Sequence, residues 1–238
     1  MLRAVSRTNR GLVRTNNEDS VLVRMPDLYA IADGMGGPKA GEIASFEAVQ
    51  LLSKLDCSKV AEKDILSHLK KTIEAINTKI WTMGQEQEAL QGMGTTLTAV
   101  YLKKNKRAFV AHVGDSRIYL WQDGLLKQVS SDHSYVAELV RKKQLTPIEA
   151  EISDQKHMIL RAVGAAETVE VDTFELITIG AQKLFLCTDG LSNMVPKEKI
   201  EELLAGKDIE KAADKLMELA LAAGGEDNIS FIILDLED

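Results

Sequence analysis

Apolar and polar residues alternate along several short stretches of this chain, which is the pattern of half-buried β-strands. The predicted strands are SVLVR (20–24), LYAIAD (28–33), TTLTAVYL (95–102), RAFVAHVG (107–114), SRIYLWQ (116–122), LLKQVS (125–130), VEVDTFEL (169–176), KLFLCTD (183–189) and NISFIILDL (228–236). Asp123-Gly124 stands between two of them and predicts a tight hairpin turn. Short strands joined by local turns are therefore the main feature of the sequence.

Helical spacing of apolar residues marks the remaining long stretches. These stretches are 39–54, 60–83, 134–143, 197–204 and 208–223. The second carries one apolar stripe, formed by Ile65, Leu69, Ile73, Ile76 and Ile80. Thr146-Pro147-Ile148-Glu149 has the sequence of a capping box with proline at the first helical position, so a small helix is predicted to start there.

The order of these elements indicates the fold class. Strands and helices come in blocks rather than in regular βαβ alternation, which disfavours a parallel sheet and favours an α+β domain of antiparallel sheets covered by helices. No repeat, low-complexity tract or linker-like stretch divides the chain. We therefore expect one domain over residues 1–238.

Composition excludes several classes of protein. The chain has 238 residues, 45% of them hydrophobic and 27% charged, which suits a single large core. A net charge of −7 argues against a basic nucleic-acid-binding face. No apolar stretch is long enough to span a membrane, and the N-terminus lacks the apolar middle of a signal peptide. Because the sequence ends just after the last predicted strand, we also expect no membrane tail and no appended sensor domain.

The two cysteines, Cys57 and Cys187, lie far apart and show no metal-binding or redox spacing. We therefore expect a reduced, cytoplasmic protein that binds neither nucleic acid nor membrane.

Aspartate is a poor strand former, so acidic residues at the ends of apolar runs need an explanation. Asp123 is the ordinary case, since turn formation explains it fully. Asp33 differs because it ends the run YAIA and is followed by glycine-rich backbone and then a helical pattern. The other acids in comparable positions are Asp115 in HVGDSR, Asp189 after LFLCT and Asp227 before ISFIIL. Asp115 fits a turn role as well as a chemical one.

Strand ends of one sheet system can bring such acids to a common edge. Converging carboxylates repel each other unless cations lie between them, and carboxylates with a backbone carbonyl are the ligands of hard ions such as Mg²⁺ or Mn²⁺. Gly34 would allow its own carbonyl to approach an ion. Glu18 and Asp19 add two acids before another strand, and Arg14 offers a planar cation for a phosphate. The sequence therefore predicts a metal-dependent site.

Other chemistries fit less well. The glycine-rich stretch DGMGGPKAGE lacks the lysine ending of a P-loop and the spacing of a dinucleotide turn. The four histidines show no paired spacing for zinc. Neither cysteine has the surroundings of a nucleophile.

Six motifs in a fixed order carry a family resemblance: RTNNED (14–19), IADGMGG (31–37), HVGDSRIYL (112–120), SSDHSYV (130–136), LCTDGL (186–191) and GGEDNIS (224–230). Together they resemble the metal-dependent protein phosphatases of the protein phosphatase 2C family, in particular the compact bacterial serine/threonine phosphatases. The resemblance extends from about Thr8 to the last predicted strand. It implies a four-layer αββα sandwich, in which two antiparallel sheets are flanked by helix pairs.

The resemblance also implies a cofactor and a set of site residues. The cofactor is Mn²⁺ or Mg²⁺, with two core ions and a weaker third. In the implied metal site, Asp33 bridges the two core ions. Asp189 and Asp227 complete the first core ion, and the Gly34 carbonyl, Glu18 and Asp19 serve the second. Asp115 and Asp189 hold the third, weaker ion. Arg14 and Asp33 are the expected catalytic residues, Arg14 as the ligand of the substrate phosphate. Asp132 is expected to help near the third ion, and Asn228 to brace Asp227.

The implied reaction is hydrolysis of phosphoserine and phosphothreonine in proteins. Two cations lower the pKa of a bridging water, and the resulting hydroxide attacks phosphorus in line. We expect the substrates to include a serine/threonine kinase and the proteins it phosphorylates, and we expect a monomer. Residues 134–164 fall where the bacterial relatives carry a mobile flap beside the active site.

One departure from the family pattern is Pro38, because bacterial relatives usually have histidine there as a candidate general acid. The leaving group would then take its proton from a water on the third ion near Asp115, or poor leaving groups would react slowly. Two alternatives stay open: a non-catalytic phosphoprotein-binding regulator on the same fold, and a phosphatase of small phosphate esters.

Overall fold

The structure of the protein is a computed structural model that describes residues 2–36, 40–104 and 106–236. The strands are β1 (Arg3–Asn9), β2 (Asp19–Arg24), β3 (Leu28–Met35), β4 (Gly94–Thr95), β5 (Leu97–Lys103), β6 (Arg107–Val113), β7 (Arg117–Gln122), β8 (Leu125–Gln128), β9 (Asp172–Ile177), β10 (Lys183–Cys187) and β11 (Ile229–Asp235). The α-helices are α1 (Ala40–Leu52), α2 (Ile65–Glu86), α3 (Tyr135–Arg141), α4 (Pro147–Glu151), α5 (Asp189–Ser192), α6 (Lys197–Leu204) and α7 (Ile209–Ala222). Pro38 lies outside the described residues.

In the described residues, the strands form two antiparallel sheets. The five-stranded sheet has the order β1-β11-β10-β7-β8. The six-stranded sheet has the order β2-β3-β5-β6-β9, and its sixth strand, β4, pairs with the end of β3. Neighbouring strands in both sheets pair antiparallel throughout.

Side-chain alternation along the strands produces three apolar layers. One layer packs α1 and α2 on the outer face of the six-stranded sheet, and a second packs α6 and α7 on the outer face of the five-stranded sheet. The third fills the space between the sheets, and includes Tyr29, Ile31, Leu186 and Ile232. The predicted four-layer αββα sandwich is thereby confirmed.

The sequence prediction missed one strand, β1. Its sequence RAVSRTN is largely polar, and it is an edge strand held by backbone pairing with β11 from Arg3 opposite Asp235 to Asn9 opposite Ile229. An edge strand can form without a continuous apolar face, so hydropathy alone gave no signal for it.

Three local predictions are confirmed, whereas the predicted strand 183–189 ends at Cys187 and Asp189 begins the unpredicted helix α5. Asp123 and Gly124 have φ values of 52° and 81°, as a hairpin turn with two left-handed central residues requires. The five residues of the apolar stripe on α2 are all buried. Thr146 accepts a hydrogen bond from the backbone N–H of Glu149, whose side chain returns one to the Thr146 N–H, so the capping box is present.

The segment from 134 to 164 crosses from one sheet to the other. It contains α3 and α4, and isolated backbone bridges hold its two ends, Ser134 with Ile159 and Thr95 with Val163. Among the residues that the structure describes, no helix is both long and apolar enough to cross a membrane.

Candidate active site

Asp33 reaches the space between the sheets through the alternation of β3. Tyr29 and Ile31 on this strand pack into the apolar layer between the sheets, whereas Leu28, Ala30 and Ala32 face the helices. Asp33 is the next residue on the inner face, at the point where the apolar layer ends. A carboxylate therefore continues the row of side chains that holds the two sheets together.

Asp19 lies directly opposite Asp33 in the pairing of β2 with β3. It is 8% exposed, and its Oδ2 accepts a hydrogen bond of 3.0 Å from the Thr188 hydroxyl of the other sheet. Its second oxygen, Oδ1, is buried without a hydrogen-bond partner among the described residues. A buried carboxylate oxygen with no donor is costly, and a cation would satisfy it.

Three further acids lie at the same end of the sandwich, next to strands of the five-stranded sheet. Asp115 stands in the turn between β6 and β7, Asp189 begins α5 directly after β10, and Asp227 precedes β11. All three influence the ionisation of acids on the six-stranded sheet. The structure thus brings together the acids that the sequence placed at strand ends.

Burial and mutual repulsion make several of these acids hard to ionise. Burial first, and then the neighbouring carboxylates, raise the pKa of Asp33 well above its ordinary value. Burial raises the pKa of Asp19 to about 7, against hydrogen bonds from Ser230 and Thr188 that lower it. Burial and the charges of Asp189 and Asp132 raise the pKa of Asp115 to about 7. This electrostatic state favours the binding of cations.

Gly34 sits in a cradle of backbone that no larger residue would fit. A Cβ at this position would collide with the Gly41 carbonyl and lie 2.6 Å from the Glu18 carbonyl. The Gly34 N–H donates to the Glu18 carbonyl at 3.0 Å, which ties the end of β3 to the residue that precedes β2. Burial raises the pKa of Glu18, and Arg14 opposes this effect.

These features fit a divalent-metal site. The donors are carboxylate and carbonyl oxygens, one carboxylate oxygen is buried without a partner, and the glycine cradle leaves backbone within reach. Within the described ranges, no three acids, histidines or cysteines are arranged closely enough to hold one ion as they stand. Carboxylates repel each other at short range, so this spacing is expected for acids facing one another across a cleft.

Arg14 lies at the edge of the cluster, where its guanidinium donates to Asp227 Oδ2 at 2.9 Å. Its side chain is 55% exposed, so the group is both held and accessible. Asn228 organises the loop that carries it: the side-chain amide donates to the Arg10 and Asn16 carbonyls and accepts from the Glu18 N–H. Asn228 meets Asp227 only through its backbone N–H. Its side chain braces the loop of Arg14 rather than Asp227.

Asp132 lies on the flank of the cluster. Arg117 and Gln128 hold its two oxygens, at 2.8 and 2.7 Å respectively. A cleft of about 1010 Å³ between this region and the 134–164 segment is lined by Asp115, Asp132 and Asp189, among others. His157 of that segment has its Nδ1 3.9 Å from Asp189 Oδ2, and this neighbour raises the pKa of His157.

Sequence reasoning missed a set of buried hydroxyl groups beneath the acids. Thr96, Ser116, Thr188 and Ser230 are all fully buried and bond to the acids or to one another. Threonine and serine in strands are ordinary, so nothing in TTLTAV or LCTDGL distinguishes these hydroxyls from surface-facing ones.

The fold and this acidic cleft define a class of protein: an α+β sandwich with a candidate metal centre at one end of its two sheets. Comparison with known proteins identifies the family within this class. The sequence pattern of protein phosphatase 2C matches residues 12–224. The chain belongs to the protein phosphatase 2C family.

Particular relatives are similar over the whole chain. Serine/threonine protein phosphatase PstP of Mycobacterium tuberculosis is 41% identical over 238 residues, which are 100% of this chain and 46% of that protein. The chain therefore spans about half the length of that relative. Serine/threonine phosphatase stp of Listeria monocytogenes is 39% identical over 98% of this chain and 96% of its own length.

Solved structures agree with these relatives. The catalytic domain of PstP in complex with two manganese ions superposes with a TM-score of 0.88 at 39% identity, covering 100% of this chain and 99% of that one. Stp1 from Staphylococcus aureus superposes with a TM-score of 0.93 at 34% identity, over 100% of this chain and 96% of that one.

Proposed function

We propose that this chain is a metal-dependent serine/threonine protein phosphatase. The observation that carries the proposal is the pairing of Asp19 directly opposite Asp33, with the buried Asp19 Oδ1 lacking a hydrogen-bond partner among the described residues. Burial and the neighbouring carboxylates raise the pKa values of these two acids, which supports the same conclusion. Family membership and the manganese bound by the PstP domain support the same activity. Mn²⁺ or Mg²⁺, when bound, would supply an activated water and positive charge against the phosphoryl oxygens.

The residues would divide the metal ligation between the sheets. Asp33, at the centre of the cluster, would be shared by two ions. Asp189 and Asp227 would complete one of them from the five-stranded sheet, and the Gly34 carbonyl, Glu18 and Asp19 would serve the other. The donor chemistry and the unpartnered Asp19 Oδ1 support this division. Asp115 and Asp189 would hold a weaker third ion, while Asp132 would hold Arg117 beside them.

Arg14 would bind the substrate phosphate. Its guanidinium is planar and exposed, and a bidentate contact to phosphate oxygens is the recognition that arginine performs best. The ion pair with Asp227 keeps the guanidinium at the edge of the acidic cluster, beside the acids that would hold the metal ions. Asn228 would maintain this position by holding the Arg14 loop.

The wider biological setting is proposed on similar grounds. We expect phosphoserine and phosphothreonine proteins as substrates, among them a serine/threonine kinase and its targets. We also propose that the chain acts as a monomer. Cys57 and Cys187 are both buried and unpaired by a disulfide, which supports a reducing, cytoplasmic setting. The 134–164 segment, which lines the cleft, would act as a flap over bound substrate.

The test is hydrolysis of a phosphothreonine peptide and of p-nitrophenyl phosphate with Mn²⁺, with and without EDTA. We expect turnover of both that EDTA abolishes, and a loss of about 10²-fold or more in Asp33→Asn, because charge stabilisation by a metal is worth several kcal/mol. Asp123→Asn, in the hairpin turn, is the matched control and should retain activity.

The outcomes separate the alternatives. Binding of the phosphopeptide without metal-dependent turnover would identify a non-catalytic regulator. Turnover of p-nitrophenyl phosphate alone would indicate an enzyme of small phosphate esters.

A further inference from the structure

The pairing of β3 with β4 and β5 is altered at one position, opposite Asp33. The Thr96 N–H donates to the Asp33 carbonyl at 2.8 Å, as in a normal antiparallel rung. In the other direction the Asp33 N–H donates to the Thr96 hydroxyl at 2.8 Å, not to the Thr96 carbonyl. The Thr96 carbonyl accepts a hydrogen bond from the Thr95 hydroxyl instead, at 2.8 Å. A side chain therefore replaces a backbone acceptor at the predicted bridging acid.

The five-stranded sheet has the same alteration at the matching place. The Thr188 N–H donates to the Ser230 carbonyl at 3.0 Å, and the Ser230 N–H returns to the Thr188 hydroxyl at 3.1 Å. The displaced Thr188 carbonyl accepts instead from the Leu191 N–H at 3.2 Å, at the start of α5. The substitution thus lets the chain turn from β10 into the helix that begins with Asp189.

Each of these hydroxyls also crosses to the opposite sheet. Thr96 Oγ1 lies 2.8 Å from Ser116 Oγ, in the residue next to Asp115. Thr188 Oγ1 donates to Asp19 Oδ2 at 3.0 Å. Thr96, Thr188 and Ser116 are all 0% exposed, so solvent cannot replace these bonds.

We propose that Thr96 and Thr188 are paired positioning residues, whose hydroxyls set the spacing between the two halves of the acidic cluster. The inference rests on the proposed function in one respect, that the cluster binds metal. Thr96 joins the backbone of Asp33 to the Asp115 turn, and Thr188 joins Asp19 to the start of α5. These acids lie next to strands of both sheets, and the two hydroxyls are hydrogen-bonded links between the sheets directly beneath them.

A valine at either position keeps the size and branching of threonine but has no hydroxyl. The Asp33 or Ser230 N–H would then lose its acceptor, and the link across the sheets would be lost. Partners that orient metal ligands typically contribute 10–100-fold to metal affinity or activity. Serine keeps the hydroxyl and loses only the methyl group, so it should restore the function.

The experiment measures Mn²⁺ affinity by isothermal titration calorimetry, together with turnover, for Thr96→Val, Thr188→Val, Thr96→Ser and Thr188→Ser. Thr98→Val is the matched control, because Thr98 is also fully buried and its hydroxyl bonds to His112 Nδ1 at 2.8 Å, away from the acids. We expect affinity about 10-fold weaker in each valine variant, recovery to within about 3-fold in the serine variants, and wild-type affinity in Thr98→Val.

Three results would overturn the proposal: valine variants with wild-type affinity, serine variants as weak as the valine variants, or an equal loss in Thr98→Val. If Thr96→Val does not fold, Ser116→Ala replaces it, since this change removes only the far partner of Thr96; unchanged affinity there would also overturn the role of Thr96. Because calorimetry detects binding without turnover, wild-type protein that binds Mn²⁺ but hydrolyses no phosphate ester would reject the phosphatase activity and leave this test intact.

Discussion

At the scale of the residue, we expect Asp33 to lower the folding stability of the metal-free protein while providing a ligand for metal ions. Its carboxylate lies where an apolar side chain would continue the layer between the sheets, and four other acids surround it. Placing negative charges together in a poorly solvated cleft costs folding free energy, and binding sites commonly carry such costs. The acid is explained by the ions it would bind and not by the fold it weakens.

Replacing Asp33 by asparagine should therefore stabilise the metal-free protein while abolishing activity. We expect the free energy of unfolding in EDTA at pH 7.5 to rise by about 0.5–2 kcal/mol, the range of single stabilising substitutions. The melting temperature would rise by about 2–4 °C per kcal/mol. Urea denaturation and calorimetry measure this, with Asp123→Asn as the control. A less stable Asp33→Asn protein would contradict the electrostatic explanation.

At the scale of elements, a side chain of α2 holds the C-terminal end of the 134–164 segment. Asn77 on α2 is 1% exposed, accepts from the Gly164 N–H at 2.7 Å and donates to the carbonyls of Ala166 and Glu167. Val163 meanwhile exchanges two backbone hydrogen bonds with Thr95, beside Asp33. The end of the segment is thus fixed both to the helical layer and to the strand beneath the site.

Asn77→Ala should release this end of the segment. Three backbone groups would lose their partner, at about 1–3 kcal/mol for each that stays buried and unsatisfied, so we expect a total loss of about 2–4 kcal/mol. Urea denaturation measures the loss, and limited proteolysis within 134–164 should become faster. Thr78→Ala, on the exposed side of the same helix, is the control and should change neither. Equal proteolysis of both variants would show that Asn77 does not hold the segment.

At the scale of the whole molecule, protons and metal ions compete for the same acids. Asp19 and Asp115 have pKa values of about 7 in the folded chain, against about 3.9 for an unperturbed aspartate. Between about pH 4 and 7 the folded state binds more protons than the unfolded state, so these groups make stability fall as pH rises through that window. The buried His112, with its pKa lowered to about 4, has the opposite effect below about pH 6.5.

Mn²⁺ should therefore bind with release of protons, and bind more tightly at higher pH. At one fixed Mn²⁺ concentration, we expect the rise in melting temperature to be larger at pH 7.5 than at pH 5.5, because the Kd is lower at pH 7.5. An ion present at 100 times its Kd would stabilise the folded state by about 3 kcal/mol. The His112 contribution cancels because it is present with and without metal. Calorimetric titration at pH 6.5 in buffers of different ionisation enthalpy measures the protons released. Equal thermal shifts at the two pH values would contradict the linkage.

Much of this could be predicted from the sequence, for local reasons. Alternation and helical spacing identified most strands and helices, and Asp123-Gly124 and the Thr146 capping box act through their nearest neighbours. The strand β1 escaped prediction because its partner β11 is more than 200 residues away in the chain and supplies the pairing that its own pattern lacks. Asp33, Asp189 and Asp227 stood out because an acid at the end of an apolar run contradicts local preference.

The sequence by itself determined which residues are acidic, where the strands end and in which order the six motifs follow. Only the tertiary structure decided that Asp19 faces Asp33, that Asp227 holds Arg14 and that Thr96 and Thr188 replace backbone acceptors beneath the acids. The physical reason is that hydrogen bonds and carboxylate repulsion act over a few ångströms in space. The sequence shows that a residue is threonine, but it does not show whether the hydroxyl is buried and links two sheets or is exposed on a surface strand.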